Sequence, residues 1–178
     1  NKLCANTENS KQEYIKKYRE KYNQYIPPSW KSFEVLTFNT LFSVYKNLGD
    51  KDVQIAIAKH FGVHHEVLKS WIETVIYIRN ICAHHSRLWN IELTIKPVWP
   101  KTPYRQWVSR WENLGQASNN KSLKIYAAIC LVAYLLDSVN PYNKFMEKLK
   151  NLLDTYSEIN IKLMGFPDDW TNEPLWKK

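Results

Sequence analysis

The sequence is poor in glycine, and its glycines are far apart. Only four occur in 178 residues, so any phosphate-binding loop would have to be built around an isolated glycine. None begins the G-x-G-x-x-G pattern of dinucleotide-binding folds or the G-x-x-x-x-G-K-[ST] pattern of P-loop proteins. The sequence therefore excludes both nucleotide-binding classes. The four positions are Gly49, Gly62, Gly115 and Gly165.

Cysteines and long apolar runs are also scarce. The three cysteines, Cys4, Cys82 and Cys130, are widely spaced and odd in number, which argues against a disulfide framework and for a reducing compartment. The longest apolar run, Ile125 to Leu136, has twelve residues, whereas about 20 are needed to span a bilayer. We therefore expect a cytoplasmic protein with no membrane partner.

The composition that remains is typical of one packed, basic domain. Apolar residues make up 44% of the chain, and the formal charge is +8 with the histidines neutral. Such a charge favours polyanionic partners, RNA or DNA among them. The chain begins at Asn1, with neither a methionine nor a signal peptide. This start is compatible with the C-terminal part of a longer protein.

Apolar residues recur at helical spacing almost throughout, and we expect an all-α fold. We predict a helical domain over residues 1–160 and an irregular tail rich in proline and tryptophan over 161–178. The predicted helices are Glu8 to Tyr22, Trp30 to Asn47, Asp50 to Phe61, His65 to Leu88, Tyr104 to Glu112, Ser122 to Val139, and one starting at Pro141.

The predicted helix from His65 to Leu88 combines a core-facing stripe with a basic face. Its apolar stripe is predicted to hold Trp71, Val75, Ile78, Cys82 and Trp89. At about 100° per residue, Asn80, His84 and Arg87 form a second stripe nearly opposite, and the long side chain of Arg79 could reach it.

These polar residues suit RNA cleavage without a metal. An imidazole such as that of His84 is a natural general acid or base near neutral pH. A guanidinium such as that of Arg79 can bind a phosphate and its transition state. Asn80 could orient them. Such a group could activate the 2′-OH of RNA, a nucleophile that DNA lacks. A solvated, salt-bridged face remains the alternative.

The block from Arg79 to Asn90, RNICAHHSRLWN, resembles the signature of the Abi-like (abortive infection) family, a branch of the HEPN superfamily. The runs Trp30 to Phe38 and Tyr45 to Leu48 are also similar to that family. The resemblance covers roughly Glu13 to Asn90. Family members carry a further helical segment before the matching part, which this chain lacks.

The resemblance implies an HEPN-like helical bundle that cleaves RNA through an R-x4–6-H motif, with two facing copies forming one cleft. Arg79, Asn80 and His84 would then be catalytic. His85, Arg87, Trp89 and Asn90 match the block and would bind RNA or support the site. No metal or cofactor is implied. The expected partners are RNA, a second copy of the chain, and an antitoxin or phage-derived protein.

Two other constellations compete with this interpretation. Residues 55–71, with Gly62 in a turn, resemble a DNA-binding helix-turn-helix, although the second helix would carry its apolar stripe into the groove. A metal site is the other alternative, although the spacing of the possible ligands matches no metal motif. The possible ligands are His60, His64, His65, His84, His85 and Cys82.

Four tryptophans could stack on bases, although core packing is more common. They are Trp107, Trp111, Trp170 and Trp176.

The function we expect is a metal-independent HEPN endoribonuclease in phage defence, or a toxin. The alternative is a non-catalytic module that binds RNA or protein through the same basic face. The target RNA and the activating trigger are not encoded in any pattern of the sequence.

Overall fold

The structure is a computed structural model that describes residues 2–24, 26–109, 116–117 and 120–177. Within these ranges the regular secondary structure is helical apart from one short antiparallel pair of strands and one isolated bridge, which confirms the predicted all-α class. The α-helices are α1 (Lys2–Glu8), α2 (Glu13–Tyr22), α3 (Ser29–Glu34), α4 (Phe38–Lys46), α5 (Lys51–His60), α6 (His65–Ala83), α7 (Ile125–Val139) and α8 (Phe145–Thr155); the strands are β1 (Gln116–Ala117) and β2 (Asn120–Leu123).

The chain divides into two compact units, residues 1–50 and residues 51–178. The first unit holds α1 to α4. Its α2 is tied to the end of α1 because the Arg19 guanidinium donates hydrogen bonds to the carbonyl oxygens of Thr7 and Glu8. Ile15 is its completely buried apolar anchor. The Ser32 hydroxyl, also buried, donates to the Pro27 carbonyl at 2.9 Å.

The helix predicted from Trp30 to Asn47 is instead two helices, α3 and α4. The break falls at residues 35–37, where Thr37 adopts an extended backbone conformation. Its hydroxyl accepts a hydrogen bond from the Thr40 amide at 3.1 Å and so caps α4. The apolar spacing continues across the break, and periodicity alone therefore could not reveal it. The structure likewise begins α2 at Glu13 rather than Glu8.

Aromatic side chains of the second unit pack around α6 and α7. Trp71 is fully buried, stacks on Trp107 with ring centroids 5.0 Å apart, and meets Tyr134 edge-on at 5.3 Å. Its indole N–H donates to the Val98 carbonyl at 2.8 Å. The predicted helix from Tyr104 to Glu112 is wrong where it can be tested, because residues 104–109 are not helical.

The residues after 160 form three 3-10 helices, at Ile161–Met164, Trp170–Asn172 and Pro174–Trp176. No α-helix forms there, but the segment is folded: Phe166, Trp170 and Trp176 are buried. The Trp176 indole N–H donates to the Tyr126 hydroxyl of α7 at 3.0 Å. Core packing is thus confirmed for Trp107, Trp170 and Trp176, whereas Trp111 lies outside the described residues.

Helices α5 and α6 form the corner that resembled a helix-turn-helix. Gly62, at φ 69°, ends α5 in a Schellman motif, since the Gly62 and Val63 amides donate to the carbonyls of Lys59 and Ala58. The start of α6 is held in the core by four buried residues, Val63, Val67, Leu68 and Trp71. A recognition helix must present a face to the major groove, so this packing argues against the DNA-binding alternative.

Helix α6 ends at Ala83, five residues before the predicted end at Leu88. Its buried face consists of Val67, Leu68, Trp71 and Thr74, all in its first half. Beyond them Val75 and Ile78 are half-buried, and Cys82, predicted to face the core, is exposed. Cys82 lies on the predicted face of the helix but past the end of the core.

Among the described residues, no helix is long and apolar enough to cross a membrane.

Candidate functional site

The predicted catalytic residues lie at the exposed C-terminal end of α6. Arg79 and Asn80 are exposed on its last two turns. The Arg79 Nη1 atom donates to Asn80 Oδ1 at 3.1 Å. This contact joins two of the side chains that were predicted to act together, and the orienting role of Asn80 stays a prediction.

His84 and His85 end the helix in a defined turn. His84 is the C-cap residue, and its amide donates to the Asn80 carbonyl at 3.0 Å. His85 follows at φ 53°, in the left-handed region. The amides of His85 and Ser86 donate to the carbonyls of Cys82 and Ile81, both at 3.0 Å, which completes a second Schellman motif. Here a histidine takes the position that glycine usually fills.

Arg87 and Trp89 are exposed in the loop beyond the helix. Because α6 stops at Ala83, the predicted helical stripe of Asn80, His84 and Arg87 is wrong: Arg87 belongs to the loop and does not stack one turn above His84. Asn90 is half-buried, with a positive φ of 53°. The residues predicted to act together thus extend over a helix end, a tight turn and a second turn.

The segment from Arg79 to Asn90, called here the basic segment, carries cationic groups without acidic ones. It contains two arginines and two histidines, and no Asp or Glu occurs from Thr74 to Ile91. Arg79, His84, His85 and Arg87 are all exposed. Such a local excess of positive charge attracts phosphate groups.

One residue that the sequence did not single out fixes the end of this segment. Lys124, which precedes α7, is only 8% exposed. Its ammonium donates to Asn90 Oδ1 at 3.2 Å and lies 3.7 Å from a carboxylate oxygen of Glu92. Close by, the Leu93 amide donates to the Leu123 carbonyl at 2.7 Å. Because Asn90 and Lys124 are 34 positions apart in the sequence, no spacing rule could have indicated this contact.

The side chains that were predicted to be catalytic lie at separate points of the α6 end. Within the part of the chain that the structure describes, no hydrogen bond links the His84 imidazole to Arg79 or Asn80. Positions five apart on a helix point in directions about 140° apart. The side chains of Arg79 and His84 therefore leave the end of the helix in different directions.

Among the residues that the structure describes, the histidines have no neighbours that would complete a metal site. The described residues contain no group of three or more His, Cys, Asp or Glu side chains placed to hold an ion. His64 has a local structural role, because its Nδ1 accepts a bond from the Glu66 amide at 3.4 Å as the N-cap of α6. The His65 Nε2 atom lies 3.4 Å from a Glu66 carboxylate oxygen.

A family model described as Abi-like protein matches residues 1–90, just over half of the chain. The chain belongs to the Abi-like protein family.

In this Abi-like protein the family match begins at residue 1, whereas the resemblance seen in the sequence begins twelve residues later, at Glu13. Both end at Asn90. The family match therefore includes the whole basic segment but not Lys124. A search of curated proteins and a search of solved structures gave no match.

Proposed function

We propose that this Abi-like protein is a metal-independent endoribonuclease of the HEPN type that acts in the cytoplasm during phage defence by abortive infection, or as a toxin. The observation that carries the proposal is the basic segment itself. It is exposed, free of acidic residues, and contains an arginine held by a neighbouring asparagine and a histidine at the helix end. The segment also lies within the part of the chain that matches the family.

The proposed reaction uses the ribose 2′-OH as nucleophile. His84 accepts the proton of that hydroxyl as general base, and the oxygen attacks the adjacent phosphorus. The bond between phosphorus and the 5′-oxygen breaks, the leaving oxygen takes up a proton from water or from a second, protonated His84, and a 2′,3′-cyclic phosphate remains. Arg79 binds the negative charge that builds on the non-bridging oxygens, and Asn80 keeps its guanidinium oriented. Arg87 adds a second phosphate contact.

A homodimer would supply the groups that one chain keeps apart. Two basic segments facing each other would place one His84 near the 2′-OH and the other near the leaving oxygen. The second half of α6 supports this arrangement, because Val75 and Ile78 are only half-buried. An antitoxin or phage-derived protein that covered the same surface would control access of RNA to it.

The decisive experiment is RNA cleavage in the presence of EDTA. We expect His84→Ala to lower the rate by about 10² to 10⁴, the usual contribution of a general acid or base. His60→Ala is the matched control because His60 is also exposed but lies at the end of α5. Product analysis should show the cyclic phosphate. Unchanged cleavage by His84→Ala, or a strict need for metal, would refute the mechanism.

A second candidate function is RNA or protein binding without turnover. It is favoured by the missing link between His84 and Arg79 within one chain. This alternative predicts RNA affinity that falls steeply with salt and no cleavage product in any condition. A dimer in which the two His84 side chains lie far apart would support it.

A further inference from the structure

We propose that Lys124 is a positioning residue, which holds the basic segment in the geometry that RNA requires. The inference rests on the proposed function, because the segment's importance for RNA comes from that proposal. It concerns a residue from the half of the chain beyond the family match. The observation that carries it is a nearly buried ammonium whose bonding partners are the last residue of the basic segment and a carboxylate two residues later.

Burial makes the Lys124 contacts specific. An ammonium removed from water is strongly destabilised unless hydrogen-bond acceptors replace its hydration. In the structure the acceptor is Asn90 Oδ1 at 3.2 Å, and Glu92 Oε1, at 3.7 Å, forms an ion pair with the ammonium. The Lys124 side chain is 10% exposed, whereas that of Glu92 is 56% exposed. The ammonium therefore fixes the loop, and the loop cannot move away without leaving the charge unpaired.

The backbone near Lys124 reinforces the attachment. Leu93 forms an antiparallel bridge with Leu123, its amide donates to the Leu123 carbonyl at 2.7 Å, and both leucines are buried. Asn90 has a positive φ, a conformation that asparagine adopts more readily than most other non-glycine residues. Lys124 bonds to the amide oxygen of this turn residue. The turn is thus bonded at its far end to α7 and covalently joined at its near end to α6.

The consequence concerns the residues between these two attachments. The loop from Ser86 to Trp89 joins the Schellman turn at His85 to the fixed turn at Asn90. Loss of the Lys124 contact would leave Arg87 and Trp89 on a longer loop, whose next attachment is the bridge between Leu93 and Leu123. A displacement of about 1 Å in a reacting geometry can cost a hundredfold in rate. Lys124 therefore acts through the loop and does not touch RNA itself.

The test compares Lys124→Met with Lys148→Met in the full chain. Both variants lose one positive charge, but Lys148 is exposed on α8, outside the basic segment and its attachments. We expect Lys124→Met to accelerate amide hydrogen exchange over residues 86–93, at Leu93 above all, while Lys148→Met leaves it unchanged. Lys124→Arg, which keeps the charge, should restore most of the protection.

The kinetic prediction separates positioning from binding. Lys124→Met should lower kcat by about tenfold to a hundredfold with a much smaller change in KM, and Lys148→Met should leave kcat unchanged. If the wild-type protein binds RNA without cutting it, the same comparison is made on Kd. Faster exchange accompanied by kcat or Kd equal to that of Lys148→Met would overturn the proposal.

A second variant covers the case in which Lys124→Met fails to fold. Asn90→Gly keeps the positive φ but removes the acceptor of Lys124, and it should accelerate exchange at the same amides to a smaller extent. Unchanged exchange in all foldable variants would refute the attachment whatever the activity. Absence of both RNA cleavage and RNA binding in the wild type would instead refute the proposed function, and the positioning role with it.

Discussion

Replacing His85 with glycine should stabilise the protein while removing one of its exposed imidazoles. His85 has a φ of 53° at the end of α6, where its amide donates to the Cys82 carbonyl. The equivalent position at the end of α5 is Gly62, at φ 69°. Both α5 and α6 therefore end in a Schellman motif. Glycine, which favours the left-handed conformation, occupies the C′ position in α5, whereas histidine occupies it in α6.

The size of the effect follows from two opposing terms. A left-handed backbone costs an L-residue about 1 to 2 kcal/mol, and glycine avoids that cost. Glycine adds about 0.5 to 1 kcal/mol of chain entropy to be lost on folding. Histidine tolerates this region better than most residues, so we expect a net gain of about 0.5 kcal/mol. For a chain of this length that corresponds to a rise in Tm of about 1 to 2 °C.

The assay is thermal unfolding followed by circular dichroism, with His85→Val as the opposite perturbation. A β-branched residue is strongly disfavoured at positive φ, so Tm should fall in the order glycine, histidine, valine. RNA affinity should be lower in both variants, because both lack the imidazole. A lower Tm for His85→Gly than for the wild type would refute the reasoning, since the left-handed backbone would then not be the source of strain.

Three further predictions concern burial. Cys82 should react with a thiol reagent in the folded protein, because it is exposed. Cys130 should react only after unfolding, because it is fully buried. Equal labelling of the folded wild-type and Cys82→Ser proteins would contradict the first expectation. Burial raises the pKa of both Cys130 and Tyr126, so the unfolded state releases protons that the folded state keeps. The free energy of unfolding should then fall above about pH 9, by up to about 1.4 kcal/mol per pH unit for each group, and a flat urea-denaturation profile there would refute it. Gly62→Ala should lower Tm for two reasons: the backbone at this position has a positive φ, and the new Cβ would lie 3.1 Å from the Tyr134 hydroxyl. An unchanged Tm would count against this prediction.

The direction of the helix faces could be predicted from the sequence, but not the extent of the core. Trp71 and Cys82 lie on the same side of α6, as their spacing predicted, yet only Trp71 is buried. Hydrophobic periodicity describes one helix at a time. It contains no information on where the neighbouring elements stop, and that boundary decides which residues of the stripe are covered.

The candidate site could be predicted as a set of residues but not as a geometry. The block from Arg79 to Asn90 identifies the segment without structural data, and its charge follows from composition. The end of α6 at Ala83 could not be predicted from the sequence, because neither glycine nor proline marks it. The contact of Lys124 with Asn90 is equally invisible in the sequence, since it depends on how distant parts of the chain meet.

The buried tail bears on the genetics of this protein. Phe166, Trp170, Leu175 and Trp176 all lie within the last thirteen residues, and each is buried. Burial of one such side chain contributes about 1.5 to 3 kcal/mol, and a domain is stable by only about 5 to 15 kcal/mol. A premature stop codon upstream of Phe166 would therefore remove much of the stability of the second unit and leave a chain exposed to proteases. Nonsense and frameshift alleles upstream of that codon should behave as null alleles.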